Sequence, residues 1–418
     1  MRIGDAMARN IVILLDGTSN EIASDRTNIL RLFGTLRRSE EQIVYYDPGV
    51  GTFGADDAWL QSYRKAVEIW GLATGWGLDQ NVKEAYRFLV ETYRKAPRDA
   101  DGKRIGEDDR IYIFGFSRGA YSARVLAGFI HALGLVEPHH LNLLDYAYNT
   151  YKGIPEHDAD RATPLEDGAS GADGNSAFLA MRLYERTLKT YRPAIKLLGL
   201  FDTVASVIEM GKWRPQFKTH PFTNRNPSVE WVRHAVAIDE QRTMFHPQLW
   251  PLGQDYWGGP FKPKTIKPQD AKEVWFAGVH GDVGGGYKET ESGLIKIPLL
   301  WMIKETKQTG LQFVTRTVNE IVKGTNPDKA YVKPDPLGPM HKSMRKLWHA
   351  LEFLPRRVPA TSWRLKGRKG VYLPFYDRRW IPADATVHQS VIDRKTGAPE
   401  GGRYDPPNLP ASASIEPW

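Results

Sequence analysis

Cysteine is missing from all 418 residues. That one absence removes disulfides, thiolate nucleophiles and cysteine-ligated zinc together, leaving histidines and carboxylates as the metal ligands on offer. Long apolar runs are missing as well. The longest stretches, residues 11–15 and 197–201, fall far short of the roughly 20 residues a bilayer-crossing helix needs, and no apolar segment with a cleavage site opens the chain. The expectation is a cytoplasmic protein, with any export independent of a Sec signal. Neither sign of charge is scarce: 57 Lys and Arg stand against 49 Asp and Glu, a net charge of +8. With 41% hydrophobic and 25% charged residues the composition is that of a folded globular protein, which excludes collagen-like, fibrous and wholly disordered classes.

What the chain does have is a series of short aliphatic runs at residues 11–15, 43–46, 111–114, 195–201 and 274–279. Unbroken runs of this kind are the pattern of strands covered on both faces, whose natural home is a parallel sheet. Helical stretches such as 82–95 separate most of them, so the spacing predicts right-handed βαβ units and an α/β fold. Residues 152–176, rich in Gly, Ala and Asp, read as a mobile insertion. From about residue 325 the chain becomes rich in Pro, Arg and Trp and loses its βα periodicity. The expected organisation is a catalytic domain over 1–324 and an irregular, basic, aromatic-rich C-terminal cap over 325–418, frayed over 404–418. Between 342 and 379 cations outnumber Glu352 and Asp377, with Trp348, Trp363, Tyr372, Phe375 and Tyr376 interleaved. That composition suits peripheral contact with an anionic membrane surface; aromatics packed under solvated arginines are the plainer reading.

The sharpest chemical signal is Gly115-Phe116-Ser117-Arg118-Gly119, directly after the strand at 111–114 and directly before a helical run at 120–133. This is the G-x-S-x-G nucleophile elbow in its strand-turn-helix setting, with glycines where the turn leaves no room for Cβ and a serine lifted out of the sheet. A serine needs a base and an orienting acid, and in the α/β-hydrolase order these follow as Asp or Glu, then His. Asp202 closes the run 195–201 and His280 follows the run 274–279, both at carboxyl ends of strands where such sheets bind ligands. His234, His246 and His388 compete with His280 for the role of base. Oxyanion donors are expected from the backbone of Arg118 and from the turn Asp16-Gly17-Thr18, at Gly17 or Thr18. A base with the ordinary imidazole pKa would make activity rise through about pH 6 to 8 without a metal.

Other patterns are weaker. Gly49-Val50-Gly51-Thr52-Phe53-Gly54 has the spacing of a dinucleotide-binding loop, but no clean helix follows it, so no nucleotide cofactor is expected. Asp16-Gly17-Thr18 matches the end of the phosphatase pattern D-x-D-G-T, with Leu14 where the nucleophilic aspartate belongs. A metal-assisted phosphatase centred on Asp16 and Asp282 is therefore a distant alternative, as is a non-catalytic protein of the same fold that binds through its basic C-terminal region. Neither a metal nor any other cofactor is called for, and nucleic acid is not the expected partner.

Six segments in order, ILLDGTSN (13–20), YYDPGVGTFG (45–54), IFGFSRGAYSAR (113–124), GLFDTVA (199–205), HAVAIDEQRTMF (234–245) and FAGVHGDVGGGY (276–287), resemble the successive blocks of the α/β-hydrolase family with the GFSRGA signature. That family, formerly a domain of unknown function, includes phospholipase effectors of type VI secretion. The resemblance covers about residues 11–310. It implies an α/β-hydrolase-like fold, a Ser-Asp-His site at Ser117, Asp202 and His280, and an ester or phospholipid substrate with secretion or immunity proteins as partners. One departure is Gly281, where the family pattern has Ser.

Overall fold

The computed structural model describes residues 8–17, 25–49, 76–154, 177–204, 208–210, 215–217, 220–259 and 266–344, and most of 348–418. Its frame is one eight-stranded sheet: β1 (Asn10–Leu15), β2 (Gln42–Asp47), β3 (Arg110–Phe116), β4 (Ile195–Phe201), β5 (Val229–Ala237), β6 (Asp270–Phe276), β7 (Thr386–His388) and β8 (Ser414–Glu416). The strands lie in the order β2-β1-β3-β4-β5-β6-β7-β8, and every neighbouring pair is parallel. Helices among the described residues include α1 (Asn28–Thr35), α2 (Trp76–Thr92), α3 (Arg118–Leu133), α4 (Leu144–Lys152), α5 (Ala177–Leu188), α6 (His280–Gly284), α7 (Lys296–Lys307) and α8 (Gln389–Thr396). None is long and apolar enough to cross a membrane.

The continuous hydrophobicity of β1 has a direct cause. Ile11, Ile13 and Leu15 face a core shared with α2, α3 and α4, whereas Val12 and Leu14 face a second core shared with α1 and α7. Both faces of the strand are dry, so residues 11–15 are all aliphatic, and the one polar position, Asn10 at the strand's start, is buried with its Nδ2 donating to Gln42 Oε1 and Gly310 O. The path of the chain then fixes where a ligand binds. It runs from β1 outward to β2, returns across β1 to β3, and continues in the opposite direction. The reversal opens a crevice at the carboxyl ends of β1 and β3, the place where open α/β sheets hold ligands. This α/β-hydrolase-like, parallel sheet flanked by helices is the architecture the aliphatic runs predict.

The division at residue 324 and the frayed end do not hold. β7 and β8 come from the expected cap and complete the sheet, with Val274 paired to Thr386 and Val387 to Ile415. Val387, Val391 and Tyr404 are buried against Trp275 and Ala277 in a third core. These strands are only three residues long, too short to leave a periodic signal in a Pro-rich segment. The strand β5 also escapes a search for aliphatic runs, because it carries Arg233 and His234 at buried positions. Each has an acidic partner: Arg233 Nε donates to Glu305 at 2.7 Å and His234 Nδ1 to Glu273 at 2.8 Å. The inferred insertion ends α4 at Lys152, and its residues from 155 onward lie outside the described residues.

Candidate functional site

Ser117 sits between β3 and α3 with φ 57° and ψ −121°. A non-glycine residue there costs on the order of 1–3 kcal/mol, and its surroundings hold it in place. Its N–H donates to Phe201 O at 3.0 Å, and its own carbonyl accepts from Tyr121 N at 3.2 Å. The two glycines of the motif are required by backbone proximity. A Cβ on Gly115 would lie 2.6 Å from Ala120 Cα, and one on Gly119 would lie 2.5 Å from Asp16 O and closer still to Leu15 O. The elbow is thus wedged between β1 and the first turn of α3.

Asp202 lies one residue beyond β4, is fully buried and also has a positive φ, 41°. Its N–H donates to Ala235 O at 2.7 Å, which anchors the turn to β5. The carboxylate is saturated with donors. Oδ1 accepts from Ala237 N at 2.9 Å and Arg379 Nη1 at 2.6 Å; Oδ2 accepts from His280 Nδ1 at 2.5 Å and Arg379 Nη2 at 2.9 Å. Burial alone would raise its pKa, yet Arg379 and His280 together outweigh that and hold it well below the usual carboxylate range.

His280 opens α6, and its ring is enclosed by aromatics: Phe116 stacks on it at 4.7 Å and Phe245 meets it edge-on at 5.0 Å. Burial lowers its pKa below the ordinary value, against the opposing pull of Asp202. Its backbone N–H donates to Glu240 Oε2 at 3.2 Å. Burial would raise the Glu240 pKa, but Arg242 beside it brings it down to about 2. The Arg242 guanidinium in turn lies 3.6 Å from the centre of the Phe245 ring. Glu240 and Arg242 therefore support the imidazole from behind.

Of the competing histidines, His234 holds the Asp202 turn. It donates from Nδ1 to Glu273, and its Nε2 accepts from Thr203 N at 3.2 Å, so the ring is neutral with a fixed tautomer. His388 is the N-cap of α8, accepting from Ser390 N at 3.2 Å, and plays no part at the elbow. The structure thus brings Asp202 and His280 into contact and sets both beside the Ser117 elbow. Among the described residues no hydrogen bond joins the Ser117 hydroxyl to His280; such contacts are often long before substrate binds.

Arg118 is the first residue of α3, where backbone N–H groups of a helix N-terminus converge. Gly17 is less available than its sequence position implies, since its N–H donates to Asp16 Oδ1 at 2.7 Å. Thr18 lies outside the described residues, as does 50–54 of the glycine-rich loop. Asp16 is buried, and its Oδ2 accepts from Thr27 Oγ1 at 2.5 Å and Tyr46 OH at 2.9 Å. It braces the N-cap of α1, because Thr27 Oγ1 accepts from Leu30 N. Asp282 accepts from Val279 N at 2.9 Å and from His341 Nδ1 at 2.6 Å. Both carboxylates of the phosphatase alternative are thereby engaged in holding loops.

Arg379 is the residue that sequence reading missed. It looked like one more cation in a basic stretch, and nothing local to Arg378-Arg379 distinguishes a buried fork from a solvated one.

Residues 9–305 match the family described as T6SS, phospholipase effector Tle1-like, catalytic domain. The chain belongs to this family. Over 246 residues it is 33% identical to the uncharacterized protein YEL023C of Saccharomyces cerevisiae, an alignment covering 57% of this chain and 32% of that one. The chain thus spans about a third of the length of that curated relative. Among solved structures it is similar to an uncharacterized protein from Pseudomonas aeruginosa, at 18% identity and a TM-score of 0.43, covering 76% of this chain and 49% of that one. It is also similar to the Tle1 effector bound to the VgrG spike of the type VI secretion system, at 17% identity and a TM-score of 0.32, covering 69% and 53%. Arg379 falls outside the matched residues, although it touches the acid at the centre of the site.

Proposed function

We propose that this protein is a serine hydrolase of carboxylic esters, of the lipase or phospholipase type, with Ser117 as nucleophile, His280 as base and Asp202 as the acid that orients it. The observation that carries the reading is the Asp202 Oδ2 to His280 Nδ1 contact at 2.5 Å beside a serine at φ 57° in a G-x-S-x-G elbow. Ser117 Oγ adds to the ester carbonyl while His280 Nε2 takes its proton. Asp202 keeps the Nδ1 proton and stabilises the imidazolium. The Arg118 N–H at the start of α3 faces the developing oxyanion. Collapse expels the alcohol with the proton returned by His280, and water then releases the acid by the same route.

Family membership supports phospholipid as the substrate class and a type VI secretion component as a partner. Contact with a bilayer is part of the same proposal. Phe353, Val371, Leu373 and Phe375 are exposed, and Phe353 and Phe375 meet edge-on at 5.4 Å. Trp348 of the same region packs on Phe245, which touches His280, so this apolar patch belongs to the segment that borders the site. The test is labelling by a fluorophosphonate, with wild type modified and Ser117→Ala not. Equal labelling of both would overturn the assignment.

A further inference from the structure

The site is completed from a part of the chain that the catalytic family match does not reach. The Arg379 guanidinium makes four hydrogen bonds: Nη1 donates to Asp202 Oδ1 and to Ala237 O at 2.8 Å, Nη2 to Asp202 Oδ2 and to Phe245 O. One planar group therefore ties the end of β4, the end of β5 and the 243–245 turn to one another. Its own carbonyl accepts from Asn408 Nδ2 at 2.9 Å, which fixes the clamp to the segment leading into β8. A hydrolase aspartate needs one donor, the imidazole; here both oxygens also carry the two arms of an arginine. A bidentate arginine–carboxylate pair is among the strongest and most directional contacts a protein can make, and a single ammonium does not reproduce it.

We propose that Arg379 is a positioning residue that locks Asp202 with Oδ2 towards His280 and offsets part of the carboxylate charge, so that the imidazole is a weaker base and works at lower pH than an Asp–His pair alone would. The proposal rests on the reading of Ser117, Asp202 and His280 given above. The charged and titratable groups facing this pair are Arg379 from the C-terminal region, Glu240 and Arg242 from the segment after β5, and His234 from β5 itself. His234 is held neutral by the Thr203 N–H, and Glu240 is paired with Arg242. Arg379 is thus the cation that sets the balance at Asp202.

The experiment follows the His280 imidazole by NMR through a pH titration, its signal assigned with His280→Ala, in wild type, Arg379→Met and Arg379→Lys, beside kcat/KM profiles on a soluble ester. In Arg379→Met both the titration midpoint and the acid limb of the profile move up by about one pH unit. Loss of the fixed geometry lowers kcat by about 10²-fold. Arg379→Lys keeps the wild-type midpoint and loses kcat. A folded Arg379→Met with an unmoved midpoint and a superimposable profile would overturn the proposal. Should Arg379→Met fail to fold, Arg379→Lys decides, because wild-type kcat there would show that the fork is dispensable. The titration does not depend on activity, so the two readings separate. A shifted midpoint with full hydrolysis by Ser117→Ala keeps the clamp and removes the serine mechanism; an inactive Ser117→Ala with an unshifted midpoint does the reverse.

Discussion

His280 Nδ1 lies 2.5 Å from Asp202 Oδ2, across 78 positions of sequence and over the end of β5, which lies between β4 and β6 in the sheet. The pair forms because the turn after β4 is pinned from behind by His234 through Thr203, and the turn before α6 by Glu240. A hydroxyl, an imidazole and a carboxylate acting as a unit lose their effect together. Ser117→Ala and His280→Ala are each expected to lower kcat by on the order of 10³-fold or more, with the double variant scarcely worse. Steady-state kinetics on a soluble ester check this, and strictly additive losses would contradict it. Asp202→Asn carries a second penalty, because Arg379 is then buried without its counter-charge. Its folding stability should fall by about 3–5 kcal/mol in urea titration, whereas Ser117→Ala leaves stability almost unchanged.

Buried histidines give the protein a definite acid sensitivity. Burial brings His131 to about 3 and His388 to about 4, and lowers His280 and His234 as well. In the unfolded chain each has a pKa of about 6.5, so below that value the unfolded state binds more protons than the folded one. The stability these neutral rings contribute is complete above about pH 6.5 and drains away as pH falls towards the folded values, by about 1.4 kcal/mol per pH unit for each ring. His388→Asn keeps an acceptor at the N-cap of α8 and removes one titrating group. The gap between urea midpoints at pH 7 and pH 5 should therefore narrow in that variant; an unchanged gap would mean that His388 takes no proton on unfolding. The same lowering acts on catalysis. With His280 the base, the acid limb of kcat/KM is expected below pH 6.5, and not in the pH 6–8 range that an unperturbed imidazole would give.

The elbow glycines make a prediction about stability that does not depend on chemistry. Gly119→Ala places a methyl 2.5 Å from Asp16 O, against backbone that β1 cannot move without breaking its pairing with β2 and β3. Gly102 has a positive φ of 77°, and nothing lies within 4 Å of the place a methyl would take there. Gly102→Ala should cost only about 1 kcal/mol of backbone strain, while Gly119→Ala should cost about 4 kcal/mol or more and abolish fluorophosphonate labelling. Comparable melting temperatures for the two variants would show that the β1–α3 contact gives way.

Much of this site was legible because its elements are local. The run 111–114, the elbow and the helix after it are contiguous, and Asp202 and His280 stand at the ends of aliphatic runs that announce themselves by hydrophobicity. Arg379 was not legible for the opposite reason. Its partner is 177 positions away, and the strands that follow it, β7 and β8, are short and lie among prolines and cations. The polar residues of β5 obscured a central strand in the same manner, since Arg233 and His234 look like surface residues until Glu305 and Glu273 are seen beside them. Charges whose partners are distant in sequence carry no signal of their own burial.

Gly281, where the sequence resemblance implies Ser, has a close neighbour in Tyr287. A Cβ at this position would lie 2.6 Å from Tyr287 Cε2. The tyrosine ring is held by His341, on which it stacks flat at 3.5 Å between centres, with an interplanar angle of 4°. His341 is itself fixed, donating to Asp282 Oδ1 at 2.6 Å and to Glu291 Oε2 at 3.1 Å. Gly281→Ser is therefore expected to overpack this layer and cost about 1–3 kcal/mol. It should also lower kcat, because Gly281 adjoins His280 in the first turn of α6. Tyr287→Ala alone leaves a gap and is destabilising too. In the double variant the serine occupies space that the ring has vacated, so the two losses should fall short of their sum by at least about 1 kcal/mol. A double-mutant cycle on urea stability, with kcat measured on the same four proteins, tests the point: additive losses would mean that something other than the Tyr287 ring excludes serine from position 281.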